Sequence, residues 1–90
     1  MKIREVVKWF SGKMEEKLMQ NDHKGGWANC SIEDLYKRLL DEVRELQSEI
    51  NFPTRDYEAI IKECADSSNF SMMIADLARK KLEESRDNKE

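Results

Sequence analysis

The sequence predicts an all-α domain of about three helices. Apolar residues recur every three or four positions through most of the chain, charged residues make up 39% of it, and only three Gly and one Pro interrupt it. Such a composition is typical of long amphipathic helices rather than of turn-rich β structure. At 90 residues the chain predicts a single domain, residues 1–90, with a thin hydrophobic core.

Composition and charge restrict the class of protein. The formal net charge of −3 argues against a protein that binds nucleic acid by covering its phosphates. No apolar run approaches the roughly 20 residues that cross a bilayer, and the N-terminus lacks a signal-peptide core, so we expect a cytoplasmic protein. Cys30 and Cys64 lack metal-ligand spacing and are expected to be free thiols, with a disulfide between them left open.

The first predicted helix runs from Ile3 to about Leu18, where the apolar residues form one stripe. The segment 21–30 breaks this period and contains Gly25 and Gly26, which permit backbone angles closed to other residues. This segment is therefore predicted to be a loop. Ser31 follows it and is placed to cap the second helix.

The second helix is predicted to end near Pro53, because proline disfavours helical geometry at the preceding residue. We expect Thr54 to cap the third helix, which runs from about Arg55 past Leu82. Apolar residues lie on more than one face of this third helix, which predicts a dimer at least, completing a bundle of four or more helices. From about residue 83 the apolar residues stop, and the tail is predicted to fray.

Two strips of acidic residues carry the functional prediction. Glu42 and Glu45 lie beside the apolar stripe of helix 2, and Glu49 continues their strip as an expected ordinary ion pair. Glu63 and Asp66 are three residues apart on helix 3, in line with an apolar stripe and without a good cationic partner nearby in the sequence. Unpaired carboxylates at an interface become neutral or bind a cation.

Carboxylates from two facing helices are the ligands that Mg²⁺ accepts, with Mn²⁺ as an alternative. The competing interpretation is that these acids form structural ion pairs. A zinc site or a His-containing di-iron site is not supported, because His23 is the only histidine and neither cysteine lies in a metal-ligand motif.

The acidic motifs resemble those of a known enzyme family. Asp41-Glu42-Val43-Arg44-Glu45 is similar to the E-E-x-x-E element of the MazG-like, all-α nucleoside triphosphate (NTP) pyrophosphatases, and Glu63-Cys64-Ala65-Asp66 is similar to their E-x-x-D element. Segments 23–27 and 63–76 also resemble a compact subgroup from phages and prokaryotes, often described as purine deoxynucleotide diphosphohydrolases. The resemblance covers roughly residues 13–78 and departs at Asp41, where the family usually has Glu.

The resemblance implies a MazG-like helical bundle that works as a homodimer or homotetramer. It implies that the protein cleaves a (deoxy)NTP, with dATP and dGTP as candidates, to the monophosphate and pyrophosphate in the presence of Mg²⁺. Glu45 is the preferred base for the attacking water, and Glu42 is nearly equivalent. The implied metal ligands are Glu42, Glu45, Glu63 and Asp66.

Further residues are candidates for binding the substrate. Lys24 and Trp27 are predicted to form a nucleotide clamp in which the indole stacks on a base, the alternative being an ordinary turn with Trp27 in the core. Asn69 resembles the family's polar contact to sugar or phosphate, and His23 is a candidate hydrogen-bonding residue. Lys80, with its neighbour Lys81, is a candidate cation for the triphosphate.

Two other functions compete with this one. In the first, the chain is a non-enzymatic helical interaction module, in which the acids are ion pairs and the broad apolar face binds a partner helix. That interpretation predicts no dependence on metal. In the second, the chain is a phosphohydrolase of the HD type, which needs several histidines and is excluded by the single His23.

Overall fold

The computed structural model describes residues 1–87. This part of the chain is all-helical, without strands, and contains three α-helices and one short 3₁₀ turn. Helix α1 spans Glu5–Gln20, the 3₁₀ turn spans Asp22–Lys24, α2 spans Ile32–Asn51 and α3 spans Tyr57–Asp87. The predicted all-α class and the three helices are therefore confirmed.

The helix ends show which side chains set the boundaries. The Ser31 hydroxyl oxygen accepts a hydrogen bond from the Asp34 backbone N–H at 3.1 Å, which confirms Ser31 as the cap of α2. The prediction that Thr54 caps α3 is wrong. Asp56 does so instead, because its carboxylate accepts the Ala59 backbone N–H at 3.1 Å and α3 begins at the next residue, Tyr57.

The third helix extends past Leu82, as predicted, and ends at Asp87. Its side chains over residues 83–87 are exposed, and the expected fraying there stays a prediction. An ion pair between Lys81 and Glu84, at 3.7 Å, spans one turn of this exposed stretch. The rest of the predicted tail, residues 88–90, lies outside the described residues.

Helix α3 is the centre of the domain. It packs against both α1 and α2, whereas within residues 1–87 no Cα atom of α1 lies within 8 Å of a Cα atom of α2. These two neighbours leave the apolar residues of α3 mostly half-buried. An open space remains between α1 and α2, with α3 beneath it.

The core is thin, as predicted. Leu35 and Ala65 are the apolar residues that are fully buried in the described part of the chain, each about 1% exposed, and Asn69 is buried beside them. The accessible surface is 7353 Å², whereas a compact monomer of this mass has about 5,500 Å². The radius of gyration is 15.6 Å, against about 12 Å for a compact chain of this length. Much apolar surface is therefore left uncovered by the chain itself.

Two further expectations concern the cysteines and membrane-spanning helices. Cys30 and Cys64 are both free, half-buried thiols, so no disulfide joins them. Within residues 1–87, every helix is too short or too polar to cross a lipid bilayer.

Candidate functional site

Three glutamates converge where α2 meets α3. Helix α2 carries Glu42 and Glu45 one turn apart, and α3 carries Glu63. One carboxylate oxygen from each of the three lies within 4.8 Å of the other two. We call these residues the glutamate cluster. Its oxygens come from two different helices and are close enough together to coordinate one hard cation.

Burial makes this cluster unfavourable without a cation. One oxygen of Glu42 and one of Glu63 are buried and have no hydrogen-bond partner among the described residues. Burial, and then the charges of Asp66 and Glu45, raise the pKa of Glu42 from 4.5 to about 7. Burial, followed by the charges of Glu45 and Asp66, also raises the pKa of Glu63. The carboxylates repel one another and lack the partners that usually compensate buried charge.

Asp66 is held differently from the glutamates. Its carboxylate lies 3.4 Å from the Lys17 ammonium of α1, and both side chains are about one-fifth exposed. Burial raises the pKa of Asp66, and the Lys17 charge opposes that increase. Asp66 was expected to lack a good partner nearby in the sequence, and its partner Lys17 indeed comes from another helix, which helix periodicity does not reveal.

A cavity of about 430 Å³ opens above α3 between α1 and α2. This size is within the range of small-molecule sites. Glu42 belongs both to the glutamate cluster and to the wall of this cavity, so the cluster borders the space. The charged and polar residues of the wall come from all three helices and the loop: Lys17, Asn21, Lys24, Arg38, Glu42, Asp66 and Asn69.

Asn69 joins the cavity floor to α1. It is 4% exposed, and its side-chain amide nitrogen donates to the Met14 backbone carbonyl at 3.0 Å. Its amide oxygen is buried and has no partner within residues 1–87. Asn69 thus lies in the cavity wall, and its contact with sugar or phosphate stays a prediction. Its bond to α1 was not predictable from the sequence, because it depends on how the helices pack.

The loop forms another wall of the cavity. Lys24, both glycines and Trp27 line it, and Gly25 has a φ of 85°, which L-residues with side chains rarely adopt. The Trp27 indole N–H donates to the Asp76 carboxylate at 2.9 Å, a bond that lowers the pKa of Asp76. The indole is therefore attached to α3 at the edge of the cavity rather than enclosed in the core.

Two predicted substrate contacts are not brought to the cavity. His23 is exposed in the 3₁₀ turn and does not line the space. Lys80 pairs with Asp76 at 3.3 Å and also lies away from the wall. The Asp76 carboxylate that accepts the Trp27 indole N–H also pairs with Lys80.

Sequence reasoning missed two cations in the wall, Lys17 and Arg38. Arg38 could have been found, since it lies four residues before Glu42 and shares its helix face. Lys17 could not, because its role depends on how α1 packs against α3.

The raised pKa values predict how pH affects the metal-free protein. The folded state holds the Glu42 proton to about pH 7, while the unfolded chain releases it near 4.5, so folding takes up a proton between these values. Stability from this group is complete below about pH 4.5 and is lost as pH rises toward 7. We expect the melting temperature in metal-free buffer to fall from pH 5 to about pH 7, and Glu42→Gln to flatten that slope. A melting temperature that rises over this interval would contradict the assignment.

Comparison of the chain with protein-family models, with curated proteins and with solved structures finds no match. The resemblance to the MazG-like family is therefore a hypothesis based on the acidic motifs and their flanking segments.

Proposed function

We propose that this chain is a Mg²⁺-dependent NTP pyrophosphohydrolase of the MazG-like kind, with Mn²⁺ as an alternative cation. Its reaction converts a (deoxy)NTP, with dATP and dGTP as the expected substrates, to the monophosphate and pyrophosphate. The observation that carries the proposal is the glutamate cluster, with its buried and unpartnered oxygens, at the border of a ligand-sized cavity. The resemblance to the MazG-like family, which depends in part on the same glutamates, points to the same function.

The residues present fit a hard divalent cation. The glutamate cluster supplies three oxygen ligands, and Asp66 is a fourth candidate next to it. Bound there, the cation would neutralise charge on the phosphates and lower the pKa of a coordinated water. Zinc is disfavoured within the described residues, because the cluster contains neither histidine nor cysteine.

The cavity walls suggest how the rest of the substrate binds. Lys24 and Arg38 place cations around the space, and these would attract a triphosphate. The Trp27 indole, fixed by Asp76, offers a rigid face on which a base can stack. Glu45 is the proposed base, because it is the exposed member of the glutamate cluster and can reach a water; Glu42 is the alternative.

Self-association is the second part of the proposal. The sequence attributed it to a wide apolar arc on α3, but the uncovered apolar residues lie mainly on α1 and α2. On α2 they form one stripe about 80° wide. This stripe lies on one side of the surface that packs against α3, and Glu42 and Glu45 lie on the other side. We call it the outer stripe; its members are Ile32, Tyr36, Leu40, Val43 and Ile50.

A second copy of the chain is the proposed partner of the outer stripe. A standard interface buries about 800 Å² on each partner, and the excess surface of this chain is about twice that. Tyr36, Leu40, Val43 and Ile50 follow the alternating three- and four-residue steps of a helix-pairing seam, with Gln47 filling the one remaining position. A homodimer or homotetramer formed this way leaves the cavity open.

The same exposed surface favours a second function, a helical interaction module without catalysis. One assay separates the two functions: incubation with a panel of dNTPs and NTPs plus Mg²⁺, followed by separate measurement of pyrophosphate and orthophosphate. We expect one pyrophosphate per monophosphate formed, with all activity lost on chelation. Release of orthophosphate first would indicate another bond specificity. No turnover, together with no effect of Mg²⁺ on the melting temperature, would favour the interaction module.

A further inference from the structure

Lys17 makes an ion pair unlike the others in the chain. The remaining pairs in the described part of the chain join residues three or four apart on one helix, whereas Lys17 and Asp66 connect α1 to α3. It is also the one ion pair there that involves any of the four predicted metal ligands. The glutamate cluster itself has no cationic partner within residues 1–87. Lys17 is therefore the positive charge that the protein itself supplies to this acidic region.

The position of Lys17 is fixed by a second contact one turn away. Asn69 bonds to Met14, and Asp66 pairs with Lys17. Lys17 lies three residues after Met14 in α1, whereas Asp66 lies three residues before Asn69 in α3. The two helices are thus antiparallel, and the buried Asn69 amide sets their register. Asn69 also lines the cavity, and its amide oxygen is buried without a partner in the described chain.

We infer that Lys17 is the resident cation of the acidic site. Its ammonium contacts one carboxylate oxygen of Asp66, at 3.4 Å, and competes with a divalent cation for this carboxylate. The inference rests on the proposed function, since it concerns the same metal site. Its geometric support is that the three glutamates meet within 4.8 Å, while Asp66 stands outside that group and beside Lys17.

Competition for one carboxylate has a definite consequence. The Lys17 charge stabilises the metal-free protein by compensating Asp66, and it opposes a divalent cation that would approach the same oxygens. Lys17 therefore makes metal binding weaker and the empty site more stable. Lys17 is a positioning residue here, because it acts on the metal through Asp66.

The test measures binding of Mn²⁺ alone by calorimetry, without nucleotide. Lys17→Met keeps the aliphatic stem and removes the charge, and we expect it to bind Mn²⁺ about 10-fold more tightly, within the usual range of coupling between sites. Its melting temperature in metal-free buffer should fall. Lys17→Arg should behave like the wild type in both measurements. Lys13→Met is the matched control on the same helix, because Lys13 pairs with the exposed Glu16 away from the site.

A double-mutant cycle isolates the coupling. In an Asp66→Asn background, Lys17→Met should change Mn²⁺ affinity by less than about 2-fold, since the competed carboxylate is gone. Equal or weaker Mn²⁺ binding by Lys17→Met than by the wild type would overturn the inference. If Lys17→Met does not fold, the side-chain NMR signals of Lys17 in the wild type decide: Mg²⁺ should move them to the position of a free lysine, and unchanged signals overturn the inference.

A failure of the proposed function and a failure of the role of Lys17 give different experimental results. A wild-type protein that binds no divalent cation contradicts both the proposed function and the role of Lys17. A wild-type protein that binds Mn²⁺ and releases pyrophosphate, with Lys17→Met no tighter, contradicts only the role of Lys17.

Discussion

Glu63→Gln should lower the rate of pyrophosphate release at least about 100-fold without weakening the metal-free fold. The substitution keeps the shape of the side chain but removes one charge from a cluster whose members repel one another. One buried oxygen of Glu63 has no hydrogen-bond partner in the described residues, so the main effect of the substitution on the metal-free fold is the loss of repulsion. We therefore expect a melting temperature in metal-free buffer equal to or above that of the wild type.

Mg²⁺ should affect the melting temperatures of the wild type and of Glu63→Gln differently. A ligand that binds only the folded state raises its stability, so Mg²⁺ should raise the wild-type melting temperature and leave Glu63→Gln largely unchanged. Asp41→Asn is the matched control, because Asp41 is 69% exposed and pairs with Arg44 at 3.2 Å, outside the glutamate cluster. It should keep nearly full activity. A Glu63→Gln protein that is both active and less stable would mean that the acids are structural.

Asp66→Asn should differ from Glu63→Gln in one respect. It should also lose activity, but its metal-free melting temperature should fall, because Lys17 then remains four-fifths buried without its carboxylate. By sequence alone, Glu63 and Asp66 are equivalent candidate metal ligands. The Lys17 contact is the reason to separate them.

Val43→Glu should weaken self-association at least about 100-fold. Val43 lies in the middle of the outer stripe and is 45% exposed in the single chain. A carboxylate placed there would be buried and unpaired in the interface, which is costly. Sedimentation velocity or light scattering across micromolar concentrations should show a wild-type dimer or tetramer and a Val43→Glu monomer.

Ser48→Glu is the matched control for this experiment. It adds the same charge to α2 on a face away from both the outer stripe and α3. It should associate like the wild type. A wild-type protein that remains monomeric with normal solubility would contradict the proposed dimer. An associating Val43→Glu would move the interface to α1, where Val6, Val7 and Trp9 are also exposed.

Local patterns predicted most of the fold. The stripe of α2 and its Ser31 cap are set by residues within one helix, and the structure confirms both. Thr54 failed as a cap because Asp56, two residues later, also offers a side-chain acceptor, and spacing alone does not choose between them. Boundaries depend on such choices, whereas the existence of a helix depends on its whole apolar pattern.

The site was predictable only in part. The approach of Glu42, Glu45 and Glu63 follows from placing two amphipathic helices face to face, which helical periodicity describes. The contacts of Asp66 and Asn69 with α1 do not follow, because they depend on the register between helices more than 40 residues apart in the chain. Side chains that join distant elements leave no periodic trace in a single sequence.

The separation between the backbones of α1 and α2 would give a bound molecule a structural role. Each of these helices packs mainly against α3, and both contribute walls to the cavity. A ligand that touches both walls would supply the bridge that the polypeptide does not. Some of its binding free energy would then appear as resistance of α1 to local detachment from α3. Ligand binding and the packing of α1 against α3 would then be thermodynamically coupled, so that each stabilises the other.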